Sequence, residues 1–345
     1  MCCRSCLAGL VEFGLPKPLM KRIKHEEAVV VDKTWFGTPG AWPRKLADLQ
    51  REHGVGHRDC RVVLASWTQQ GVNKRENEDR SIQLQEMSKS VPFSIIGVLD
   101  GHDTSVASQT VKELLPPLIA KHLVDGYSVF DANAMALAEV ESRLAKNKCT
   151  SGTCVLCCTI SGRFIWCSNL GDCRAALVQL QMPTGEREFP RPERLCWMSH
   201  DHRASDPGEQ RRIEKAGGEV RYGRIEGLEP SRTLGDFDVK SKVPNGTISI
   251  EPEVRRYELG DGKDVSQAVL VCGSDGVWDN VTGQDLCNMI HQSWGLGGLL
   301  FQLRNGQPAD DIQPMQKLGE DLVRLSRRKG GRDDCTCAIA LISLA

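Results

Sequence analysis

From Arg61 to the end of the chain, short apolar runs rich in Val, Ile and Cys alternate with glycine turns, and few stretches carry helical periodicity. The runs read as strands at 61–67, 93–99, 153–160, 164–169, 175–180, 268–272 and 335–342. Helical spacing is clearest at 106–123, 132–146, 207–216 and 314–328, and Pro116 and Pro117 are expected to kink the first of these or end its regular part. Strands separated by tight turns, with helices arriving in pairs, point to an α+β fold. Stacked antiparallel sheets flanked by helices suit the pattern better than an alternating parallel fold. No internal repeat is visible.

Residues 1 to about 57 differ: Pro16, Pro18, Pro39 and Pro43 lie among scattered charges with little sustained periodicity, the mark of an irregular N-terminal extension. A formal net charge of −1 gives no bulk electrostatic reason to bind nucleic acid. No apolar run is long enough for a membrane span and no secretory h-region is present, so a cytoplasmic protein is expected. The fifteen cysteines agree with that. Seven of them, Cys154, Cys157, Cys158, Cys167, Cys272, Cys335 and Cys337, lie inside strand-like runs, where cysteine behaves as a small buried hydrophobe in a reducing compartment. Cys154 and Cys157 have the spacing of a zinc knuckle, but on a strand they face opposite ways, and no second pair follows.

Acids punctuate the strand ends. The run 93–99 stops at Asp100-Gly101-His102, and 268–272 soon reaches Asp275, with Asp279 four residues on. A third run leads into Gly171-Asp172; Asp333 stands just before the last strand, and Glu78-Asp79 follow the first. Carboxylates converging from several strands repel one another and resist ionisation unless cations lie between them. An all-oxygen set selects hard ions: magnesium, manganese or calcium. One aspartate beside a glycine is usually a turn former, but the set, with its histidine and glycines, is harder to explain that way.

These residues resemble the PPM, or type 2C, family of metal-dependent protein phosphatases, in a series of motifs covering about 58 to 345. Asn77-Glu78-Asp79-Arg80 is similar to the family's first acidic motif and Asp100-Gly101-His102 to its Asp-Gly-His segment. Ser151-Gly152-Thr153 with Gly171-Asp172, Asp201-His202 through Gly218, Ser231 through Asp236, Ser274 through Asp279, and Arg332-Asp333-Asp334 follow in the family's order. The resemblance implies a four-layer α/β/β/α sandwich, two antiparallel sheets between antiparallel helix pairs, with Mn2+ or Mg2+ in a cleft at one end. It further implies a serine/threonine phosphatase acting by direct attack of a hydroxide bridging two ions. By the same resemblance Asp100 bridges the metals and the Gly101 carbonyl binds one. Glu78 or Asp79, Asp275 and Asp333 complete the pair, and Asp172, Asp275 and Asp279 hold a third, weaker ion found in some members. His102 is the implied general acid; orienting a metal ligand is its other reading.

The chain departs from the family at Lys74, where an arginine usually grips the substrate phosphate, with Arg75 adjacent. It departs again at Asp103-Thr104, where glycines usually follow the histidine, and at Leu228-Glu229-Pro230. The alternative to an enzyme is a regulatory pseudophosphatase that binds phosphoproteins without turnover. Phosphoproteins are the expected partners and a monomer the expected state. Cys2, Cys3 and Cys6, with basic residues nearby, offer membrane contact if acylated.

Overall fold

In the computed structural model, which describes residues 60–86, 92–181, 189–259 and 267–344, the apolar runs form two antiparallel sheets. One has the order β1 (Cys60–Gln69), β11 (Cys335–Leu344), β10 (Gln267–Gly273), β6 (Arg174–Gln181) and β7 (Arg191–Trp197). The other runs β2 (Arg80–Glu86), β3 (Phe93–His102), β4 (Gly152–Ser161), β5 (Phe164–Leu170) and β9 (Glu253–Glu258), with the two-residue β8 (Leu234–Gly235) paired to the start of β4.

The strands are apolar along their length because both faces of each sheet are covered. All of β4 is buried: Cys154, Leu156, Cys158 and Ile160 pack between the sheets, while Val155 and Cys157 lie under helices. In β11, Ala338, Ala340 and Ile342 face the inter-sheet layer, and Cys337, Ile339 and Leu341 face the other way. Helices α1 (Val106–Val124) and α2 (Val129–Lys146) cover the β2 to β9 sheet. The opposite sheet is covered by α5 (Asp275–Trp278), α6 (Gly283–Gln292), α7 (Trp294–Arg304) and α8 (Gln313–Arg328). The order is helix, sheet, sheet, helix. A segment beside one end, with α3 (Pro207–Lys215) and α4 (Phe237–Lys240), has its own small core of Ala204, Ile213, Ile225 and Ile248.

Helix α1 runs through Pro116 and Pro117 instead of ending there. Each proline removes one helix hydrogen bond, and the carbonyls so released, on Lys112 and Glu113, belong to exposed residues that water can reach, while Pro116 itself is buried in the core. The cysteines of the described residues are free thiols. Among those residues no helix is long and apolar enough to cross a membrane. Cys2, Cys3, Cys6 and the boundary near residue 57 lie outside the described residues.

Candidate active site

Antiparallel register gathers the acids at one end of the sandwich. The last residue of β1, Gln69, faces the first of β11, Cys335; Gly273 at the end of β10 faces Arg174 at the start of β6; and His102 at the end of β3 faces Gly152 at the start of β4. Residues just beyond these ends therefore share one region: Glu78 and Asp79 before β2, Asp172 in the β5–β6 turn, Asp275 opening α5, and Asp333 before β11. Carboxylate oxygens of Asp100, Asp172 and Asp275 approach within 4.8 Å of one another.

Burial first, then the charges of Asp275, Asp79 and Asp172, push the Asp100 carboxyl well above the ordinary carboxylate range. Asp79 is raised by burial, against a 2.8 Å hydrogen bond donated by Ser274, and Asp275 by burial and then by Asp172. Buried acids that resist ionisation in each other's company form a hard-oxygen set that fits a divalent cation. Gly101 is needed for close approach, since a Cβ there would lie 2.4 Å from the Glu78 carbonyl oxygen.

The remaining expected residues form two neighbouring groups. Lys74 Nζ lies 2.8 Å from Asp333 and 2.9 Å from Glu78. Burial pulls its pKa down, but these two acids outweigh it and hold the ammonium above its usual range. Asp279, capping α5, accepts a 2.9 Å hydrogen bond from Arg203.

His102 Nε2 is 2.7 Å from Oδ1 of buried Asp236, whose Oδ2 accepts from Thr233. Burial lowers the imidazole pKa, yet hydrogen bonding to Asp236, and then its charge, leave it raised. Asp236 was present in the sequence motif without a role; its left-handed backbone, φ 53°, aims it at the histidine. Asp334 was missed as well. It accepts from the backbone N–H groups of Gly71 at 2.6 Å and Glu78 at 2.8 Å, fixing the loop that carries Lys74 and Glu78. The doubled acid before β11 was the available signal. Arg203 and Arg174 complete the surroundings.

Asp103 stands at φ 69°, a conformation in which a side chain is strained and glycine is not. Asp103→Gly relieves that strain but loses more backbone entropy on folding, so stability is expected to change by no more than about 1 kcal/mol, read from the urea midpoint at unchanged slope. A larger loss would mean that an Asp103 contact stabilises the fold.

A family model described as Protein phosphatase 2C matches residues 66–305. Probable protein phosphatase 2C 54 of rice is 26% identical over 296 residues, covering 82% of this chain and 73% of its own length. Probable protein phosphatase 2C 27 of rice is 31% identical over 72% of this chain and 64% of its own length, and human probable protein phosphatase 1N is 28% identical over 72% and 57%. The chain thus spans less than two thirds of the last two. Among solved structures, a C. elegans sex-determining protein superposes with a TM-score of 0.61 at 21% identity, over 81% of this chain and 64% of that one. The serine-threonine phosphatase 2C of Toxoplasma gondii gives 0.59 at 19%, over 82% and 95%. At such identities these two speak for the fold, which is the four-layer arrangement described above. With the model covering well over half the chain and the acidic motifs sitting together at one end of that fold, the chain belongs to the protein phosphatase 2C family.

Proposed function

We propose that the chain hydrolyses phosphoserine and phosphothreonine in protein substrates with the help of two divalent ions, Mn2+ or Mg2+. The observation that carries this reading is the convergence of the Asp100, Asp172 and Asp275 carboxylates, with His102 beside them. Asp100, the Gly101 carbonyl, Asp275 and Asp333, with Glu78 and Asp79 directly or through water, are the residues that would hold the ions. Bound there, such ions supply Lewis acidity and a water acidic enough to attack phosphorus near pH 7.

The chain's own residues do the rest. His102, oriented by Asp236, protonates the departing serine or threonine oxygen. Lys74, with a partly exposed side chain at the rim of the acids, faces the phosphate as a point charge in place of a planar fork. Phosphate release from a phosphothreonine peptide, with and without Mn2+, tests the proposal; full activity after thorough chelation would overturn it.

The pseudophosphatase reading keeps one observation in its favour: Lys74 is ion-paired to Glu78 and Asp333, both candidate metal ligands. Lys74→Ala separates the two. For the enzyme it is expected to lower kcat/KM by about 10- to 100-fold, the ~1.5–3 kcal/mol of a charge-assisted contact, while Lys74→Arg preserves activity. If Arg75→Ala is damaging and Lys74→Ala silent, Arg75 is the grip. A wild type that binds the phosphopeptide but never turns it over in saturating Mn2+ favours the binding module.

A further inference from the structure

The positions that resemble a third-ion site already hold a cation, and it is part of the chain. Arg203 reaches from the segment beside the cleft into the space between Asp172, Asp275 and Asp279. Its NH2 lies 2.9 Å from Asp279 Oδ1 and 4.0 Å from Asp275 Oδ2, and its Nε lies 3.2 Å from Asp172 Oδ2. The last contact is an ion pair by distance, its angle being too poor for a hydrogen bond. Arg203 NH1 is 3.3 Å from Glu229 on the same segment. Backbone pairing fixes its base, since Arg203 bridges to Pro230 and the neighbouring Ala204 N–H donates to Glu229 O.

The acids are correspondingly engaged. Asp172 Oδ1 accepts from the Cys154 thiol at 3.3 Å while Oδ2 faces Arg203, so both of its oxygens have protein partners. Asp279 Oδ1 is held by Arg203, with a second guanidinium, Arg174, 3.8 Å away. Arg174 is itself fixed by a two-toothed pair with Asp201, at 2.6 and 2.8 Å. A magnesium- or manganese-sized ion bound here would sit about 2.0–2.2 Å from these same oxygens, against two fixed positive charges. A guanidinium cannot step aside by losing its proton.

We infer that Arg203 is a built-in counterion occupying the third-ion position, so that the chain takes up two divalent ions and no third. The same contacts tie the segment carrying Arg203 and Glu229 to the β5–β6 turn and to α5. Arg203 is thus a positioning residue that sets the metal count. The inference rests on the two-ion reading above for the number two, but not for the difference that Arg203 makes.

The test is metal stoichiometry, independent of turnover. Full-length protein is titrated with Mn2+ into the millimolar range, free ion is followed by electron paramagnetic resonance, and folding is checked by circular dichroism. Wild type is expected to bind two ions, Arg203→Ala and the neutral near-isostere Arg203→Gln three, and Arg203→Ala/Asp279→Asn two again. Arg203→Lys should stay at two. Three ions on the wild type, or no added ion on whichever neutral variant folds, would overturn the inference. A wild type binding fewer than two would sink the two-ion reading instead, while a gain of one ion on removing Arg203 would still support the counterion.

Discussion

Asp275→Asn is expected to lower kcat/KM by about 100- to 1,000-fold or more while making the metal-free protein more stable at neutral and alkaline pH. The loss follows from charge: Asp275 lies against Asp100 and Asp172, and an amide there supplies no anion to a shared cation site. The gain has the same origin with the opposite sign. In the metal-free fold, burial and the charge of Asp172 raise the Asp275 carboxyl to about 7, above its unfolded value near 3.8. A carboxyl raised on folding contributes its full stability below the unfolded value, and that contribution is lost as pH rises through the folded one. Metal-free wild type should therefore lose stability between about pH 4 and 8, by up to a few kcal/mol shared among coupled acids, and Asp275→Asn should lose less. Saturating Mn2+ should remove most of the slope from the wild type and little from the variant. Melting curves at pH 5 and 8, with and without metal, check the stability half, and peptide turnover the other. An active variant, or a metal-free wild type no less stable at pH 8 than at pH 5, would contradict the shared-site account.

The central strands were legible because covering both faces of a sheet demands unbroken apolar runs, and β3, β4, β5, β6, β10 and β11 all show them. The strands that went unread, β2, β7 and β9, are sheet edges apart from the short β8. Arg191-Pro192-Glu193-Arg194 in β7 and Arg255-Arg256 in β9 carry the charge and proline by which edges avoid further pairing, and that chemistry looks like loop. Helix α7 was hidden by Gly295, Gly297 and Gly298, which weaken helical propensity although tertiary packing buries Leu296, Leu299, Leu300 and Leu303. The acids were legible as a set because Asp100, Asp172, Asp275 and Asp333 stand at or within a few residues of the ends of readable strands. Asp236 and Arg203 were not, since their roles depend on a segment that returns to the cleft from far along the chain. Lys74 was legible as a departure, but its pairing with Asp333 across 259 residues required the β1–β11 register to be known.

His102→Ala is expected to lower turnover of a phosphoserine peptide by about 100- to 10,000-fold, the range for a lost general acid. The loss on p-nitrophenyl phosphate should be far smaller. Serine leaves as a strongly basic alkoxide unless it is protonated, whereas p-nitrophenolate departs stably without a proton, so only the first substrate needs the imidazolium. Asp236 makes the imidazolium available. Its carboxylate, 2.7 Å from Nε2, outweighs the burial that would otherwise deprotonate the ring, leaving His102 above its ordinary value. A general acid works while protonated, so the alkaline limb of kcat should follow the His102 pKa. Asp236→Asn keeps the shape but removes the charge that favours the imidazolium; it should move that limb to lower pH and lower peptide turnover at pH 8. Turnover at acid pH, where the ring is protonated in either protein, should be nearly unchanged. Equal losses on both substrates for His102→Ala would instead assign the imidazole to orienting a neighbouring ligand, and an unmoved alkaline limb in a folded Asp236→Asn would show that Asp236 holds the ring's position without setting its charge.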